Sequence, residues 1–406
     1  MSRQLFLTLT TLATGAFAQT VMPTAGYNCK DAADGRANVI YVAGSSAIRP
    51  FLGVVAGLVK ADGYTLVYQS QGSCTGVAAI LDPDATKHLI KDIPAAAGKA
   101  ANYALVLNAD GTGKECFLDP AGNTVDVGAS DVFADSCGYT LGAGFSDFEG
   151  PVQPMTMVVS AVSTQQSISA EAAYMVFGMG GNEGKATPWT DPTYYFVRNA
   201  SSGTQQMVAR AVKVPADKWW GKDRGGSGAV RTGMKTLLDQ AGAEKGIGIL
   251  STDVVDDERG NLRVLAFKPF GGLCAYLPDS TATSFDKRNV RDGHYPIWGP
   301  VHFFAQTSSG VPSAAASSLV TRFAAPKLDQ TLMDAIIKKH LVPKCAMAVK
   351  RSAEIGPFQK RVATDFRCDC YFEKVATGAS SCATCTTATD CPSDAPACNY
   401  GYCEAH

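Results

Sequence analysis

The sequence is short of several things, and each shortage closes a class of function. Charged residues make up only 18% of it, with 36 Lys and Arg against 37 Asp and Glu and a formal net charge of −1. No block of like charge stands out, so the basic footprint that a nucleic-acid binder needs is missing. Beyond the N-terminus no apolar run approaches the roughly 20 residues that a membrane-spanning helix requires. Histidine is scarce: His88, His294, His302, His340 and His406 are the full set. His302, on an apolar stretch, reads as a satisfied core histidine. H-E-x-x-H is absent, and Gly225-Gly226-Ser227-Gly228-Ala229 fails the G-x-S-x-G elbow at its final position. The stretch FGMGGNEGKAT has the wrong spacing for a phosphate loop, and Ala186 follows Lys185 where Ser or Thr is needed. These gaps argue against an enzyme, and no cofactor motif is found in its place.

What is present starts with MSRQLFLTLTTLATGAFAQT. A basic start at Arg3, an apolar run from Leu5 to Ala13 and Ala16-Phe17-Ala18 before Gln19 read as a secretory signal peptide over 1–18. The expected protein is therefore exported, periplasmic or at the cell surface, and soluble. Hydrophobic content of 46% in 406 residues suits a globular chain of two domains. Thirteen cysteines divide unevenly. Cys29, Cys74, Cys116, Cys137 and Cys274 are scattered, and eight follow from Cys345 onward. In an exported chain these read as disulfides, with zinc as the rival at Cys382-x-x-Cys385 and Cys368-x-Cys370. An odd count leaves one thiol unpaired or bridged to another chain. Composition shifts near Thr364 and marks 364–406 as a disulfide-rich tail module.

Along the body, apolar strands alternate with helix-like stretches: ANVIYVAGSSAIRPFLGVVAGLVKADG, YTLVYQSQGSCTGVAAILD and YYFVRNASSGTQQMVARAV each read as strand, turn, helix. GAVRTGMKTLLDQAG reads as an amphipathic helix before the strand GIGILS. Such alternation predicts an α/β fold with mostly parallel sheets. The segment 82–124, polar and rich in Gly and Asp, is expected to include an insertion.

The turns share a chemistry. Gly44-Ser45-Ser46, Gly72-Ser73-Cys74-Thr75-Gly76 and Ser201-Ser202-Gly203-Thr204 are hydroxyl-lined and sit where helices begin. In parallel α/β sheets such helix starts gather at the carboxyl ends of strands, where ligands bind. With Arg198 they would enclose a tetrahedral oxyanion. The turn VGASD adds Asp131, which repels an anion unless that anion carries a proton to donate. Hydrogenphosphate carries one; sulfate at neutral pH does not. Taken singly, each serine is as readily a plain helix cap, Asp131 a capping Asp and Arg198 a surface ion pair.

In order and context, VAGSSAIRP, YQSQGSCTGV, DVGASD and VRNASSGT resemble the phosphate-binding protein of bacterial ABC phosphate uptake systems, in the type II periplasmic binding-protein superfamily. FGMG…PWTDP and GHYPIWGPVHFF extend the resemblance over residues 37 to 345. It implies a two-lobed fold with lobe 1 at 36–156 plus 296–363 and lobe 2 at 157–295. Crossovers near Pro154–Ser160 and Tyr295–Phe303 would form the hinge. The implied phosphate-binding set is Ser46, Ala47 (through backbone), Ser73, Asp131, Arg198, Ser202, Gly203 and Thr204. Arg198 would also orient Asp131, and Cys74 is expected to pair with Cys116 or Cys137. The implied ligand is inorganic phosphate or a related oxyanion, the implied partner an ABC permease, and the implied state a monomer with no metal. Ala200 stands where the family commonly has a second Asp, which loosens discrimination against sulfate. The rival reading is a surface interaction protein that keeps the fold and uses its Cys-rich tail to hold a partner.

Overall fold

The computed structural model describes residues 28–30, 38–95, 99–110, 112–181, 186–362 and 364–406. The signal segment lies outside these, as do Asn182–Lys185 of the phosphate-loop-like stretch.

Apolar, β-branched runs form the strands that position everything else: β1 (Val39–Gly44), β2 (Thr65–Ser70), β3 (Tyr103–Leu107), β4 (Gly113–Phe117), β5 (Val127–Ser130), β6 (Phe145–Ser160), β7 (Tyr195–Val197), β8 (Lys222–Asp223), β9 (Ile247–Ser251) and β10 (Trp298–Ser308). They lie side by side in the order β8-β7-β9-β6-β10-β5-β1-β2-β3-β4. The fold is mixed α/β. β1 pairs in parallel with β2 and β5, and β7 in parallel with β8 and β9, as strand–turn–helix units require. Antiparallel pairing enters through the two long crossover strands β6 and β10 and through the β3–β4 hairpin, so the sheet is mixed. β6 joins the halves. Its residues Phe145–Pro154 pair with β10, Trp298 opposite Pro154, while Met155–Val158 pair with β9.

Alternation along the strands fills a core on each face. Val42, Leu66, Tyr68 and Phe303 point into one cluster, whereas Ala43, Val67 and Phe304 point into another. Helix α1 (Arg49–Ala61) covers the first face with Phe51, Leu52, Val55, Ala56 and Val59, the spacing of one helical stripe. Helix α2 (Ser73–Leu81) covers the second, and it lies very close: a Cβ at Gly76 would stand 2.6 Å from the Ala43 carbonyl oxygen. In the other half, Tyr195, Val197 and Ile249 face a core that also holds helix α3 (Ala170–Met179) and helix α4 (Gly203–Val212), while Phe196 and Leu250 face helix α5 (Ser227–Lys235). The amphipathic stretch expected beyond Lys235 breaks there and resumes at Gln240–Lys245.

The segment 82–124 adds the β3–β4 hairpin to the sheet edge, and Cys116 bridges back to Cys29. Cys74 pairs with Cys137, one of its two expected partners. The remaining bridges are Cys345–Cys368, Cys370–Cys382, Cys385–Cys398 and Cys391–Cys403, leaving Cys274 unpaired and exposed. The sulfurs of Cys385, Cys391 and Cys403 come within 4.8 Å of one another but are committed to bridges, so the zinc rival loses its ligands. The compositional boundary at Thr364 is not a packing boundary. Helix α6 (Asp369–Thr377) sends Tyr371 and Phe372 into the large core, Arg291 pairs with Asp369 at 2.8 Å, and Tyr400 donates to the Leu328 carbonyl at 2.6 Å. Among the described residues no helix is long and apolar enough to cross a membrane.

Candidate oxyanion-binding site

The carboxyl ends of β1, β2, β5 and β7 converge, and residues that follow them meet in direct contact. Ser73, the first residue of α2, is fully buried. Its Oγ lies 3.2 Å from Asp131 Oδ2 and accepts the Asp131 N–H at 3.1 Å. Asp131 follows β5 and is 2% exposed; its Oδ1 is buried with no hydrogen-bond partner among the described residues. Burial pushes its pKa up to about 6, against the opposing pull of Ser45, Arg198, Ser73 and His302.

Arg198, at the end of β7, is also buried. Nε donates to the Gly225 carbonyl at 3.0 Å, one terminal nitrogen to Ser227 Oγ at 2.9 Å and the other to Ser46 Oγ at 3.2 Å, across the gap. Burial lowers its pKa while the fields of Asp131 and Asp223 raise it. The implied orienting contact from Arg198 to Asp131 is not present: no ion pair joins them, because hydroxyls and a carbonyl take its donors and Ser73 holds Asp131 instead. What results is a buried cation with hydroxyl and carbonyl partners and, among the described residues, no carboxylate against it.

Helix α4 closes the other wall. Ser202 is its N-cap and accepts the Gln205 N–H at 3.4 Å, so its hydroxyl performs the ordinary capping role. Thr204 is fully buried and its Oγ1 has no partner among the described residues. Gly203 faces Asp131 so closely that a Cβ there would stand 2.8 Å from Asp131 Cβ. The halves touch directly: Cys74 N–H donates to the Ser201 carbonyl at 3.0 Å, and Ser201 Oγ to the Gln71 carbonyl at 3.2 Å. Gly72, at φ +112°, is required by that approach, since a Cβ would meet Ser201 Oγ at 2.7 Å.

Ser46 and Ala47 depart from the expected helix start. Helix α1 begins only at Arg49, and the Ala47 N–H donates to Ser45 Oγ at 3.1 Å, so it is already engaged. Two features escaped sequence reasoning. Ser227 shares Ser46 Oγ with Arg198, its own Oγ 3.4 Å away. The signal for it was a Gly225-Gly226-Ser227 turn at a helix start, the same signature as the other walls. Asp253, just past β9, is fully buried beside Gln153, whose Nε2 donates to Asp253 Oδ1 at 2.9 Å. Burial, with Asp131 adding to it, pushes the Asp253 pKa up to about 8.

No protein-family profile matches the chain, and no curated protein registers as a sequence relative. Solved structures to which it is similar include a protein from Clostridium perfringens with bound phosphate, described as a phosphate ABC transporter substrate-binding protein (14% identity, 75% of this chain and 99% of that one, TM-score 0.49). An ABC-type phosphate transport receptor from Vibrio cholerae gives 12% identity over 75% and 99% of the two chains, with TM-score 0.46. A phosphate-binding protein from Stenotrophomonas maltophilia gives 13% over 75% and 90%, with TM-score 0.45.

Proposed function

We propose that the protein is an exported solute-binding protein that captures inorganic phosphate, as hydrogenphosphate, between lobe 1 (36–156 with 296–363) and lobe 2 (157–295), for delivery to an ABC permease or for sensing. One observation carries the reading: among the described residues, a buried Arg198 without a carboxylate partner lies in the same site as two buried oxygens without partners, Asp131 Oδ1 and Thr204 Oγ1. A buried cation favours an anion, and a buried carboxylate oxygen favours an anion that still carries a proton. Hydrogenphosphate meets both demands; sulfate meets only the first. Ser46, Ser73 and the start of α4 at Ser202, Gly203 and Thr204 supply the remaining donors, and Ser227 joins them. Ala47 is left out of the proposed set, because its N–H is engaged.

Binding rather than catalysis is the role proposed, because the groups that converge here are a guanidinium, hydroxyls and a helix start, and the hydroxyl–carboxylate contact of Ser73 with Asp131 is part of that wall. Calorimetric titration of ligand-free protein with phosphate and then sulfate at neutral pH tests the proposal. Phosphate binding that vanishes in Arg198→Ala supports it, and equal affinity for sulfate defeats the phosphate assignment.

A further inference from the structure

Behind the hinge a second guanidinium stands in an unusual state. Arg351 is 6% exposed, and its Nε and both terminal nitrogens are buried without a hydrogen-bond acceptor among the described residues. Its face is satisfied: the guanidinium carbon lies 4.0 Å from the ring centre of Trp298 and 4.4 Å from that of Phe358. Its edge is not. The indole Nε1 of Trp298, the ring that Arg351 stacks on, is likewise buried without an acceptor among the described residues. An arginine does not escape by losing its proton, so its donors call for an acceptor. Burial lowers its pKa to about 9, with Glu354 the carboxylate that opposes the fall.

Glu354 forms no ion pair with Arg351. Its oxygens accept the Phe133 N–H at 2.8 Å and the Ser136 hydroxyl, and Ser136 Oγ in turn receives Arg210 Nε at 3.1 Å. Arg210 is itself exposed and reaches Ser136 rather than Glu354, so the buried Arg351 carries its positive charge without a carboxylate in contact among the described residues. We infer that the edge of Arg351, together with the Trp298 indole N–H, forms a binding site for a small, singly charged anion at the hinge. The single charge matches the one unpaired guanidinium, and the small size follows from the burial of both donors. Trp298 opens β10 opposite Pro154, where β6 passes from one half to the other, so an occupant would tie the 349–358 segment to the strand pair that must flex. This site does not depend on what the interlobe cleft binds, and the Arg198→Ala variant should retain it.

Bromide is the probe. Crystals of the wild-type protein soaked in sodium bromide should show an anomalous peak in the plane of the Arg351 guanidinium, within reach of Trp298 Nε1. In solution, bromide should quench part of the tryptophan emission saturably, and Trp298→Phe, which keeps a ring under Arg351, should remove that saturable part. Ordered waters at the Arg351 edge with bromide only elsewhere would overturn the inference. Quenching that rises linearly without saturation, unchanged by Trp298→Phe, would overturn it too.

Discussion

Gly203 and Asp131, on opposite halves of the molecule, lie so close that a Cβ on Gly203 would stand 2.8 Å from the Asp131 Cβ and 2.9 Å from its Oδ2. The first residue of α4 therefore presses its bare backbone against the carboxylate and Ser73, and this closeness makes the position intolerant of any side chain.

Gly203→Ala is expected to obstruct closure without harming the helix, since alanine is a good helix residue. An overpacking cost of about 1–3 kcal/mol falls on the closed form alone and corresponds to roughly a 5- to 150-fold loss of anion affinity. Calorimetry would read the affinity, with circular dichroism showing an unchanged fold. Unaltered affinity would mean that closure does not bring these residues together in solution.

Arg198→Lys should bind anions far more weakly than the native protein, although charge is kept. One ammonium cannot serve the Gly225 carbonyl, Ser227 and Ser46 while also facing a ligand, as the planar fork can. A loss of about tenfold or more in phosphate affinity is expected, from at least one charge-assisted bond at about 1.5–3 kcal/mol. Native-like binding by the lysine variant would show that charge alone suffices.

Asp131 and Asp253 both hold protons more tightly in the folded chain than an ordinary Asp does, at about 6 and about 8. Folding therefore takes up protons between the ordinary carboxylate range and these values, so stability of the ligand-free protein falls as pH rises from about 4 to about 8. Urea unfolding at pH 5 and pH 8 should show the acid sample more stable, and Asp253→Asn should flatten the upper part of that dependence. The same protonation gives Asp131 a hydrogen to donate below about pH 6, so discrimination against sulfate should weaken there. A preference for phosphate that is constant from pH 5 to pH 8 would remove Asp131 from selectivity.

The Cys74–Cys137 bridge closes a loop with a sequence separation of 63 and anchors the residue after Ser73. Replacing both cysteines by serine should cost up to about 4 kcal/mol of stability through the unfolded chain. Thermal unfolding would read that loss, and anion titration of the still-folded variant should show weaker binding because the α2 start is no longer pinned. Undiminished affinity would assign the bridge to stability alone.

Much of this was legible in the chain itself. Strand period, Gly/Ser turns and alternating helices specify the α/β class, because each is a local property of a few neighbouring residues. The same holds for Ser73, Asp131, Arg198 and the Ser202–Thr204 turn, which stand at strand ends wherever the strands go. The cysteine pattern likewise indicated bridges and one leftover thiol, though not which cysteines meet. Only the tertiary structure decided what those side chains touch. Arg198 turns to Ser46, Ser227 and Gly225 rather than to Asp131, because the choice depends on distances across a gap between segments far apart in sequence. Asp253 and Arg351 acquire their shifted ionisation from burial, which packing confers and which no short motif announces. The tail reads as a separate module by composition, yet Tyr371 and Phe372 lie in the main core. Where an apolar side chain finds cover is a property of the whole fold, not of the stretch that carries it.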